Sequence, residues 1–72
     1  MHTHTVKNSP EAGKTYTCIL NEVPLYDATV ERAEGCWATV KVVRPLPGKY
    51  EKQYKQGEQF EIKIAYYDFV EK

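Results

Sequence analysis

The sequence predicts a small, mainly β domain of five strands rolled into a barrel. Three observations point there. Apolar and polar residues alternate with period two in several short runs, such as CWATVKVV at 36–43 and FEIKIAY at 60–66. Turn-forming residues separate those runs: Pro24, Gly35, the Pro45–Pro47 pair and Gly57. A helix-sized insert at 49–56 sits after the third strand, as small barrels allow.

Residues 1 to 13 are polar, carry Pro10 and end in Gly13, so they read as a flexible N-terminal arm. Residues 14 to 72 form the single domain. Its first strand is TYTCIL at 15–20, rich in β-branched and aromatic residues. Tyr16, Cys18 and Leu20 fall on one face, Thr15, Thr17 and Ile19 on the other. Asn21 to Pro24 ends this strand, because proline cannot donate to a ladder and restricts the residue before it.

A hairpin spans 25–44. One arm rises from Ala28 to Arg32, and Gly35 supplies the positive φ that a short loop needs. On the returning arm, Cys36, Ala38, Val40 and Val42 share the inner face, and Trp37, Thr39, Lys41 and Val43 the outer. A competing helix from an Asp27 cap to a Gly35 stop has only a thin apolar stripe of Ala28, Val30 and Ala33. Pro45 and Pro47 then stop the arm.

Within the insert, Tyr50 and Tyr54 lie four apart, as do Glu51 and Lys55, and Gly57 stands where a helix ends. Two helical turns are expected, with both tyrosines on one face closing an end of the barrel. The last segment alternates through Phe60, Ile62, Ile64 and Tyr66, after which Tyr67 and Phe69 carry the apolar set on odd numbers. A bulge or bend near 65–67 accounts for that change of phase. Five strands with a helix or turn between the third and fourth resemble an OB-fold barrel; an SH3-like barrel is the alternative.

Charge is balanced, with ten Lys and Arg against ten Asp and Glu. That total gives no global pull toward nucleic acid or an anionic membrane. No stretch approaches the roughly 20 apolar residues of a membrane span, and MHTHTVKNSPEAG has no apolar signal region. A cytoplasmic protein with no membrane association and reduced cysteines is the expectation.

Catalysis is poorly supplied. Ser9 is the sole serine, Asp27 and Asp68 the only aspartates, and His2 and His4 lie in the arm. No phosphate loop or HExxH pattern is present, so the chain is expected not to be an enzyme. His2, His4, Cys18 and Cys36 have ligand chemistry but no paired ligand spacing. Both cysteines fall on the inner face, so the expectation is small core residues, with no metal and no cofactor.

Binding is left. Protein interaction is the leading reading, with an unknown partner or a second copy of the chain. Tyr66, Tyr67 and Phe69 crowd three aromatics into four positions of a strand that can offer its edge. Single-stranded RNA or DNA is the alternative. There Trp37 would stack a base beside Lys41, and Arg44, Lys49, Lys52 and Lys55 would follow the phosphates.

Overall fold

The computed structural model describes residues 5–6 and 10–72 and shows one antiparallel sheet. Its strands are β1 (Thr5–Val6), β2 (Thr15–Leu20), β3 (Val23–Glu34), β4 (Trp37–Pro45), β5 (Gln59–Lys63) and β6 (Tyr67–Glu71). The spatial order is β1-β6-β2-β3-β4-β5, so β2 to β5 form a meander and β6 returns beside β2. The sheet is not closed: among the described residues, β5 and the two-residue β1 are its edges.

Tight turns set the register. Asn21 and Glu22, at φ 51° and 67°, join Leu20 to its partner Val23. Two positive-φ residues give the turn a twist that matches the strands it connects. Pro24 therefore does not end a strand, as the sequence suggested; it is the second residue of β3, opposite Ile19. Proline is tolerated there because the β3–β4 ladder starts only at Tyr26 and the β2–β3 register shifts beside it. The second hairpin follows the expectation, with Glu34 opposite Trp37 and Gly35 at φ 62°. The competing helix does not form.

The twelve-residue β3 is interrupted between Asp27 and Ala28 and between Val30 and Arg32. Such irregularities bend a strand and raise its twist. The bend lets one face of the sheet fold over itself. Tyr16, Cys18, Tyr26, Ala28, Val30, Ala38, Val40, Val42, Ile62 and Phe69 are buried on it, with Leu25 and Ile64 completing the core. The faces read from the alternation of β2 and β4 hold, with one correction. Cys36 lies in the turn before β4 and is exposed, because the turn takes it out of the pleat.

The insert is a single 3-10 turn, Glu51–Gln53, and not two turns of α-helix. So short a segment cannot offset the cost of helix nucleation. Its far end is drawn into the sheet instead: the Gly57 amide donates to the Val42 carbonyl, and the Val42 amide to that of Glu58. Tyr50 and Tyr54 flank the turn and still pack against the core, Tyr54 with its ring centroid 4.7 Å from that of Tyr26. The expected bend at 65–67 takes the form of a second 3-10 turn, Ile64–Tyr66, which turns Tyr66 out and Phe69 in.

The first thirteen residues are not wholly an arm. Thr5 and Val6 pair with Val70 and Phe69, and Pro10 is buried. The Glu11 amide donates to the Tyr16 hydroxyl at 2.9 Å, and that of Gly13 to the Val30 carbonyl at 2.7 Å. Residues 1–4 and 7–9 lie outside the described residues. No helix among those described is long and apolar enough to cross a membrane.

Two buried groups make the core sensitive to alkali. Burial, then the Asp27 carboxylate, pushes the Cys18 thiol from 9.0 up to about 12. Burial, then Cys18 and the Tyr67 phenol, raises Tyr26 above its ordinary 10.0. Among the described residues the Tyr26 hydroxyl meets no hydrogen-bond partner. Both folded-state values exceed the unfolded ones, so their stabilising effect is complete below about pH 9 and is lost as pH rises further. Denaturant midpoints should fall above pH 9. Tyr26→Phe should soften that fall and add about 1 kcal/mol at neutral pH, since it removes an unsatisfied buried hydroxyl. A midpoint lowered by Tyr26→Phe at neutral pH would contradict this. A thiol reagent at neutral pH should label the folded chain once, at Cys36, and reach Cys18 only after unfolding; mass mapping distinguishes the two.

Candidate interaction surface

The outer face of β3, β4 and β5 is built from cross-strand rows. Glu34, Trp37 and Lys63 form one; Arg32, Thr39 and Glu61 the next; Thr29, Lys41 and Gln59 the third. Strict alternation along β4 sends Ala38, Val40 and Val42 inward and so leaves Trp37 outside, 48% exposed. The turn after β5 leaves Tyr66 still more open, at 65%. Lys63 links these two aromatics: it is paired with Trp37, and its ammonium lies 5.6 Å from the centre of the Tyr66 ring. An exposed Trp and an exposed Tyr thus flank one lysine at a corner of the sheet. Arg32 and Glu34 form an ion pair there at 3.0 Å, and the surrounding charge is mixed.

That corner adjoins a free strand edge. The Ile64 amide donates to the Cys36 carbonyl, and the Glu58 carbonyl accepts from Val42. Even-numbered residues of this segment therefore turn their backbone groups toward β4. Gln59, Glu61 and Lys63 turn theirs away, and no hydrogen bond to them from another strand occurs among the described residues.

The basic residues are not gathered around Trp37. Lys41 shares its face but stands two pleats along, about 13 Å away. The two are not side by side, because Thr39 lies between them. Arg44 is near the other end of β4, with its Nε 3.4 Å from Asp27. Lys49, Lys52 and Lys55 are exposed along the β4–β5 connection, Lys49 with its ammonium 5.8 Å from the centre of the Tyr50 ring. The three crowded aromatics separate as well. Phe69 is fully buried against Tyr16, Tyr67 is half-buried beside it, and only Tyr66 is open.

Two features escaped the sequence reading. Asp27 is the one buried charged side chain among the described residues, only 3% exposed. The Thr17 hydroxyl donates to its Oδ1 at 2.6 Å, and Arg44 Nε and Lys72 Nζ each lie 3.4 Å from its Oδ2. With three partners, Asp27 clamps the end of the chain to β3. An aspartate amid the apolar run LYDATV was the available signal. At the end of the sheet away from Trp37, Val23, Leu25, Leu46, Pro47 and Tyr50 line an apolar groove of about 310 Å³. A second hollow of about 260 Å³, between Leu20 and Tyr54, continues it.

Among the described residues, no three His, Cys, Asp or Glu side chains gather as a metal site. His2 and His4, the weak ligands considered above, lie outside those residues. No family model, curated protein or solved structure matches this chain.

Proposed function

We propose that the chain is a non-catalytic protein-binding module whose docking surface is the corner formed by Trp37, Lys63 and Tyr66. The observation that carries this reading is the exposure of both aromatics beside an unpaired strand edge. Half-exposed Trp and Tyr are the side chains that protein interfaces favour, and a free edge offers backbone hydrogen bonds to an extended partner. The strand order supports the SH3-like alternative over the OB-like one. Four consecutive strands form a meander and the last returns beside the first of them, with a 3-10 turn before it, whereas an OB barrel is a Greek key. In this reading the protein works in the cytoplasm, where Cys18 and Cys36 stay as thiols.

Single-stranded nucleic acid remains the second reading, favoured by the outward Trp37. It is the weaker one because the lysines that would hold phosphates lie mostly along the β4–β5 connection, beyond the far end of β4.

The test is retention on the immobilised chain. Wild type and a Lys49→Glu, Lys52→Glu, Lys55→Glu variant should hold the same protein from a nuclease-treated extract, and Trp37→Ser with Tyr66→Ser should lose it. Retention that survives the aromatic changes but not the lysine changes or nuclease would overturn the reading.

A further inference from the structure

We infer that the free edge of β5 pairs with the same edge of a second copy of this chain, antiparallel and centred on Ile62. The inference rests on the reading of this corner as a docking surface and names one occupant for it. Two observations carry it: which backbone groups are unpaired, and how charge is placed along the strand.

Only Gln59, Glu61 and Lys63 turn backbone groups outward, the Lys63 carbonyl also opening the 3-10 turn toward Tyr66, so only odd-numbered residues can bond across a β5–β5 junction. Twofold symmetry then leaves three registers with more than one hydrogen-bonded pair within the strand. Centring on Phe60 sets Gln59 against Glu61 and leaves Lys63 past the end of the other strand. Centring on Glu61 gains an additional hydrogen-bonded pair, yet it brings two Glu61 carboxylates face to face, and like charges directly opposite are destabilising. Centring on Ile62 sets Glu61 of each copy against Lys63 of the other, twice, and both are hydrogen-bonded pairs that exchange N–H and C=O.

The same register extends the outer rows. Trp37 is already paired with Lys63, so Glu61 of the second copy comes next in that row, followed by its Thr39. The two sheets become one continuous sheet across the junction. An edge of five residues gives a small interface, below the standard size of roughly 1,200–2,000 Å², so the dimer is weak and depends on concentration.

Sedimentation equilibrium on the whole chain over a wide concentration range tests this, with circular dichroism and melting curves confirming that each variant is folded. The wild-type average mass should rise toward twice the monomer. Glu61→Lys and Lys63→Glu should each weaken association roughly tenfold, and the two together should restore it, since the swap regenerates both opposite pairs. Glu61→Pro should abolish association, because the amide it removes is used only across the junction. A mass that stays monomeric throughout overturns the inference. So does a double swap no better than either single change, which is what the Glu61-centred register gives. If the chain is monomeric yet still retains another protein through Trp37 and Tyr66, the second-copy assignment fails and the docking reading stands.

Discussion

Phe69→Ala is expected to cost the fold about 3–5 kcal/mol, whereas Tyr66→Ala, three residues earlier, should leave its stability within about 0.5 kcal/mol of wild type. Phe69 is fully buried in β6. Its ring stands edge-on to Tyr16, with centroids 5.8 Å apart at 73°, and lies 6.2 Å from Tyr67. Its backbone is opposite Cys18 on one side and Val6 on the other. Truncating such a residue removes the anchor where β1, β2 and β6 meet, at a cost of about 3–5 kcal/mol. A chain of this length has a total stability of about 4–11 kcal/mol, so roughly half of a typical margin disappears. Urea denaturation followed by tryptophan fluorescence gives the answer, and a loss below about 1 kcal/mol would show that β6 is not part of the core.

The second large effect concerns binding. Trp37→Ser with Tyr66→Ser should reduce affinity for a retained partner by at least about 100-fold, with no loss of fold. Interface Trp and Tyr residues that act as anchors each cost about 2 kcal/mol or more when truncated, and every 1.4 kcal/mol is a factor of ten. The fold is spared because both side chains are already about half or more in solvent. Lys63→Met should have a smaller effect, since a charge that is still partly in solvent contributes little by itself. Titration calorimetry on wild type and variants resolves these, with amide dispersion in the NMR spectrum as the folding control. A double variant that binds as tightly as wild type would remove this corner from any role in docking.

Much of the sheet was legible in the sequence because period-two alternation is a local signal. It placed Trp37, Thr39, Lys41 and Val43 outside and Ala38, Val40 and Val42 inside from one nine-residue run. Gly35 announced its own turn in the same way. Other features depend on what lies across the sheet. Pro24 reads locally as a stop, and only the register of β3 against β2 and β4 shows why it can sit in a strand. The insert has helical spacing, but the hydrogen bonds that Val42 makes with Gly57 and Glu58 decide its shape. Pro10 is polar-flanked and near the start of the chain, yet it is buried with the core.

The candidate surface was half legible for the same reason. Trp37 and Tyr66 were each singled out, but for different partners, and nothing in their own neighbourhoods joins them. The β4–β5 ladder does so by placing Lys63 opposite Trp37, and the 3-10 turn does so by bringing Tyr66 back over Lys63. Lys41 and Trp37 illustrate the converse. Sharing a face is a local property, and being adjacent on it is not.

The central claim is that the chain binds through the β5 corner and not through its basic stretch. Residue-resolved amide hydrogen exchange tests it most directly, measured with the retained protein and, separately, with a single-stranded oligonucleotide at low salt. Ile62, bonded to β4, should be protected from the start, while Glu61 and Lys63 exchange quickly in the free chain at concentrations where it is monomeric. The retained protein should slow Glu61 and Lys63 and shift the Trp37 indole signal, and the oligonucleotide should change none of them. Unchanged exchange at Glu61 and Lys63, together with oligonucleotide-induced shifts at Trp37, Lys49, Lys52 and Lys55, would contradict it.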